Sequence, residues 1–185
     1  MLSDKQWIDE NLHDYFRHTG PAISPFNAWV ILKSLESFSL RMERHWANAQ
    51  RVAEFLEATD GVLSVNYAGL PSSPWHERAK TLAPKGTGGV LSFELAGGVP
   101  AGKAFVDALT LHSHVANIGD VRSLVIHPAS TTHQQLSAEE QLATGVTPGL
   151  VRLAVGIEGI DDILADLTRG LAAARSVSAQ AVAAS

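Results

Sequence analysis

Arg152 stands in a run, Gly149 to Ile157, whose apolar residues recur at every second position. Side chains alternate across a strand, so Val151, Leu153, Val155 and Ile157 share one face, and Leu150, Arg152, Ala154 and Gly156 share the other. The small neighbours Ala154 and Gly156 leave room beside the guanidinium for a ligand, and its planar fork suits a carboxylate or phosphate. An arginine so placed is equally compatible with the wet face of a half-buried strand. Two further segments carry polar groups that can converge on it: Ala116-Asn117-Ile118-Gly119-Asp120 and His127-Pro128-Ala129-Ser130-Thr131-Thr132-His133. Pro128 keeps His127 extended, and the hydroxyls that follow supply short donors in a loop. The same residue types also serve turns: Asn117 can hold a bulge, and Thr131 and Thr132 can bond their own backbone.

Other chemistry finds less support. His112 and His114 share a strand face, with His127 and His133 close behind, yet no carboxylate sits at ligand spacing and HExxH is absent, so no metal ligand is assigned. The glycine run Pro84 to Gly89 fails the spacing of a phosphate loop and precedes a strand, not a helix, so it reads as a turn. GxSxG and paired-carboxylate motifs are also missing.

The elements that must position Arg152 follow from the rest of the pattern. Ser3 can cap a helix containing Trp7, Ile8, Leu12, Tyr15 and Phe16, ending near Gly20-Pro21. Ser24-Pro25 opens another that continues to about Ala58, roughly 50 Å at 1.5 Å per residue, against a radius of gyration near 16 Å for such a chain. That excess predicts either a bend, where Ser34, Ser37 and Ser39 bond back to carbonyls, or a second body alongside. Strands are predicted over 62–67, 89–95, 112–118, 123–126 and 149–157. Helices are predicted over 75–82 and 101–109, after the Ser137/Glu140 capping box, and from about Asp161; the tail from about Ser176 reads as frayed. This order predicts an α+β fold, with a small sheet covered by helices on one face and a long helix before it.

Size and composition set outer bounds. With 185 residues, 45% apolar and 18% charged, the chain can bury a substantial core, and a net charge of −5 gives no basic field for nucleic acid. There is no cysteine, which removes disulfides and thiolate chemistry and suits a reducing compartment. No apolar run is long enough for a membrane span and Met1 to Lys5 lacks a signal core, so the expected location is cytoplasmic, with neither nucleic acid nor membrane as partner.

Five segments together, 20–28, 39–45, 117–124, 127–133 and 151–158, resemble the Cys/Met-metabolism family of pyridoxal-phosphate (PLP) enzymes. The resemblance covers nearly the whole chain. It implies the C-terminal small domain of an aminotransferase-like, fold type I enzyme. On that reading, residues 1–58 are a helical connector to a large PLP-binding domain outside this chain, 59–175 are the α+β domain and 176–185 are the tail. Within the family, Asn117-Ile118-Gly119-Asp120 is similar to sulfhydrylases acting on O-acetylhomoserine, and Arg17 to Pro21 to those acting on O-succinylhomoserine. The implied reaction is replacement of the acyloxy group by sulfide, giving homocysteine for methionine biosynthesis; cystathionine synthase or lyase chemistry stays open.

The resemblance also assigns roles. Arg152 binds the substrate α-carboxylate, assisted by Asn117 and Thr132. It places no catalytic or cofactor-binding residue in this chain, because Lys5, Lys33, Lys80, Lys85 and Lys103 lack the Ser/Thr-Lys setting of the lysine that holds PLP. The implied partners are the small amino-acid substrate, the lysine-bearing large domain and homologous subunits in a homotetramer. The alternative is a non-catalytic domain that associates with a full-length homologue.

Overall fold

The computed structural model describes residues 4–183, and side chains through residue 180. It divides into two bodies, one ending at Ser39 and the next starting at Leu40.

The first body is helical: α1 (Lys5–Asn11), α2 (His13–Thr19) and α3 (Pro25–Glu36). The expected cap Ser3 lies outside the described residues; the Asp4 carboxylate caps α1 by accepting from the Trp7 amide at 2.7 Å. The single helix expected here is interrupted at Leu12, and α2 stops at Gly20, whose φ of 66° suits a residue without Cβ. Ser24 and Pro25 open α3 as expected, the Ser24 hydroxyl accepting from Asn27 N at 3.2 Å. No described residue of α1, α2 or α3 is buried, although they carry Phe16, Phe26, Trp29 and Leu32.

The long helix is interrupted at Ser37, within the serine-rich stretch where a bend was expected; Ser34 Oγ donates to the Val30 carbonyl at 2.8 Å. The helix that follows, α4 (Phe38–Glu57), buries Ala49, Val52, Ala53 and Leu56. Those residues join the core of the second body, which begins at Leu40.

The second body continues with β1 (Val62–Asn66), α5 (His76–Leu82), β2 (Val90–Leu95), α6 (Gly98–Ala108), β3 (Ser113–His114) and β4 (Leu124–Ile126). A 3-10 turn (Pro128–Ser130), α7 (Ala138–Ala143), β5 (Leu150–Ala154) and α8 (Ile160–Ala183) complete it. The sheet order is β1-β2-β5-β4-β3, antiparallel except for the parallel β3–β4 pair. Alternation then separates two faces. Leu91, Phe93, Leu95, Val125, Val151 and Leu153 pack with Phe105 of α6, with Ile163, Leu167 and Leu171 of α8, and with α4. Phe93 and Phe105 meet edge to face at 5.4 Å. Helices thus cover one face of a small sheet, the α+β arrangement expected.

Further elements differ from the sequence reading, β5 by being confined to Leu150–Ala154. β3 holds two residues instead of seven, because the chain leaves the sheet after His114 and turns at Val115, whose N–H donates to the Ser113 carbonyl. Helix α8 runs past Ser176 to Ala183, tied back by Ser178 Oγ, which donates to the Ala96 carbonyl at 3.1 Å. The capping box of α7 forms as read, with Ser137 and Glu140 exchanging both bonds.

Candidate active-site cleft

Strand β5 delivers Arg152 to the sheet face opposite the helices, where its register partners are Ser92 of β2 and Ile126 of β4. There it borders a cleft of about 420 Å³ whose other walls include Tyr67, Ile126, Thr132, His133 and Leu150. The cleft does not open over Ala154 and Gly156, as the sequence suggested. Ala154 is buried, and a Cβ on Gly156 would stand 2.2 Å from Glu158 Oε2, so that glycine serves close packing. The space lies toward Leu150 and across the neighbouring strands.

The guanidinium is half-buried and held from one side. Its Nη2 donates to the Ala116 carbonyl at 2.8 Å and lies 3.4 Å from that of Asn117. These carbonyls are free to accept because the chain has left the sheet by residue 115. Its Nε is buried with no partner among the described residues. A desolvated N–H on a permanent cation costs about 1–3 kcal/mol or more when unpaired, which marks it as a donor awaiting an acceptor.

Of the three residues singled out from sequence, Arg152 and Thr132 line the cleft together. Asn117 approaches Arg152 through its main-chain carbonyl, while its side chain is exposed. Thr132 Oγ1 pairs with His133 Nδ1 at 2.9 Å, and Gln141 Nε2 fixes this loop by donating to the His133 carbonyl at 2.8 Å. Sequence reasoning missed Ser92 and Tyr67 as cleft walls. The polar side of the alternation Val90, Ser92, Glu94 was visible, but nothing in it said which strand would lie beside β5.

The three buried histidines among the described residues are held by identifiable bonds. His45 Nδ1 donates to the Val155 carbonyl at 2.6 Å. His127 Nε2 donates to the Pro148 carbonyl at 2.8 Å while its Nδ1 accepts from Ser130 Oγ at 2.8 Å; burial pushes its pKa down, opposed by the Pro148 bond. His112 Nδ1 donates to Asp166 Oδ2 at 2.8 Å, and its Nε2 is buried without a partner, which suits a neutral ring. Burial accordingly pushes His112 down despite its aspartate. Burial alone would raise Asp166, but the His112 ring and the Thr110, His112 and Leu111 amides outweigh it and hold the carboxyl at about 2. Among the described residues no group of three or more His, Asp or Glu is placed to hold a metal ion.

Solved structures of PLP-dependent enzymes share this fold. A Campylobacter jejuni structure described as an O-acetylhomoserine (thiol)-lyase with N'-pyridoxyl-lysine-5'-monophosphate superposes with a TM-score of 0.81 and 37% identity, over 92% of this chain and 41% of that one. The Cys/Met metabolism PLP-dependent enzyme family matches residues 1–172, and the chain belongs to it. The O-acetyl-L-homoserine sulfhydrylase of Leptospira meyeri is 55% identical over 84% of this chain and 35% of its own length. The O-succinylhomoserine sulfhydrylase of Pseudomonas aeruginosa is 46% identical over 86% and 39%. The chain therefore spans somewhat over a third of the curated relatives it matches. PLP is the family's cofactor. No helix among the described residues is long and apolar enough to cross a membrane.

Proposed function

We propose that this chain is the carboxyl-terminal part of an O-acetylhomoserine sulfhydrylase that makes homocysteine from O-acetylhomoserine and sulfide in the cytoplasm, and that it contributes the anchor for the substrate α-carboxylate. The observation that carries the reading is the Arg152 Nε, buried, unpaired and beside the cleft. A carboxylate entering there meets a fork already aimed by the Ala116 and Asn117 carbonyls, so little orientational freedom remains to be lost on binding. Thr132, its hydroxyl paired with His133, shapes the same wall, and Asn117 acts through its main chain.

PLP, when bound, supplies the electron sink for exchange at the substrate's γ-carbon; the residues of this chain bind and orient. Arg152 fixes the acid end of the substrate, which sets where its Cα–H and ester point. The cleft's apolar walls, Ile126 and Leu150 among them, exclude water from that contact and strengthen it. The lysine that holds the cofactor belongs to the large domain, and residues 1–58 connect to it. The exposed apolar side chains of α1 to α3 are suited to that domain and to neighbouring subunits of a homo-oligomer. The acetyl ester is preferred over succinyl on the higher identity to the relative named for the acetyl ester.

Two measurements test this. Arg152→Ala in the enzyme that contains this chain should lower kcat/KM for O-acetyl-L-homoserine roughly 30-fold to several thousand-fold; unchanged kinetics would overturn the assignment. Borohydride reduction of the 185-residue chain alone with PLP should give no stoichiometric pyridoxyl-lysine, and finding one would show that the cofactor lysine lies within it.

A further inference from the structure

We infer that Ser92 is a second donor to the carboxylate that Arg152 anchors, a positioning and affinity residue built into the neighbouring strand; this rests on the reading of Arg152 given above.

The register makes Ser92 the direct cross-strand partner of Arg152 on the same sheet face, with Cβ atoms about 5 Å apart. Both side chains line the cleft. Ser92 is half-buried, and its hydroxyl has no hydrogen-bond partner among the described residues. The other positions around it are already committed or apolar. Glu94, two residues along β2, accepts from the Thr147 hydroxyl and, at 3.1 Å, from the Gly149 amide. Ile126, the partner of Arg152 on β4, offers no donor. The Thr132 hydroxyl is engaged with His133.

Arg152 and Ser92 therefore stand side by side on rigid, hydrogen-bonded strands, each with a donor left over. A carboxylate has two oxygens and about four acceptor sites, so one oxygen can take the unpaired Nε–H while the other takes the serine O–H. A neutral ligand with the same skeleton gains neither charge-assisted bond.

The test uses an isosteric pair. Ser92→Thr keeps a hydroxyl and Ser92→Val replaces it by methyl, and both favour strands. The 185-residue chain and both variants are titrated with O-acetyl-L-homoserine and with its carboxamide, following the Arg152 Nε–H resonance by NMR, after thermal unfolding confirms that each variant is folded. The expected result is an acid-specific shift in the parent chain, a Kd within about twofold in Ser92→Thr and about tenfold weaker in Ser92→Val, with no change for the amide. If the branched residues unfold the strand, Ser92→Ala against the parent chain makes the same comparison. Equal affinities in Thr and Val variants, with the Arg152 shift intact, would overturn the role of Ser92 and leave that of Arg152. No acid-specific shift in the parent chain would overturn both.

Discussion

Consecutive residues of β5 serve opposite requirements on the two faces of one sheet. Val151 and Leu153 are fully buried under the helices within the apolar core, whereas Arg152 between them faces a cleft with an N–H unmatched. Polar groups on the covered side of the body are retired by partners: Asp166 receives the Thr110, Leu111 and His112 amides and the His112 ring, and Asn48 Nδ2 donates to the Gly156 and Glu158 carbonyls. The one lapse there among the described residues, the lone pair of His112 Nε2, belongs to a neutral ring and costs less than a desolvated cationic donor. Packing is thus concentrated on the covered face and an unmatched donor on the other, so, on the proposed reading of Arg152, substitutions on the two faces should separate stability from binding.

The largest effect on folding is expected at Phe93. Phe93→Ala removes the ring that meets Phe105 and should destabilise by about 3–5 kcal/mol in denaturant titrations, while any protein that remains folded keeps its affinity for the substrate acid. Arg152→Ala should do the reverse, abolishing the carboxylate-specific signal while moving the unfolding midpoint little. A large loss of stability there would break the comparison, by making Arg152 a structural residue.

Acid should act through the covered side. Burial holds His112 and His127 below their usual 6.5, so protonation favours the unfolded chain, where that value is restored. Their contribution is complete above about pH 6.5 and shrinks as pH falls below it. Asp166 adds a second contribution, complete above its ordinary value of about 3.9 and lost as pH falls toward 2. Thermal midpoints should therefore be level near pH 7–8 and fall in acid, and Asp166→Asn should remove the lower part of the decline. A midpoint that rises on acidification from pH 7 to 5 would contradict the neutral state of both rings.

The smallest effect is expected at the edge of the cleft. Ser137→Ala removes the cap of α7, the short helix that carries Gln141 and through it the His133 carbonyl, and should cost about 1 kcal/mol. If carboxylate affinity falls with it, Gln141 transmits order to Thr132; unchanged affinity would confine the cap's role to stability.

Much of this was legible in the residues themselves. The alternation around Arg152, the Ser24-Pro25 start, the Ser137/Glu140 box and the strands near 62–67 and 89–95 all appear where their patterns put them, because caps and periodicity act over a few residues. Local pattern failed where distant partners decide. The stretch 115–118 reads as strand but leaves the sheet, its carbonyls at 116 and 117 turned to an arginine 35 residues or more away. Ser178 looked like part of a fraying tail until the Ala96 carbonyl held it.

The sequence by itself determined that there would be a small sheet under helices, that one strand would carry a cation on its polar side, and to which family the chain belongs. Only the tertiary structure decided which residues stand beside that cation. Strand order brings β2 against β5 and so puts Ser92, not Ala154 or Gly156, next to the guanidinium. The physical reason is that periodicity fixes which face a side chain takes, whereas its neighbours across the sheet are chosen by pairing between segments some 60 residues apart, whose energies are spread over the whole core.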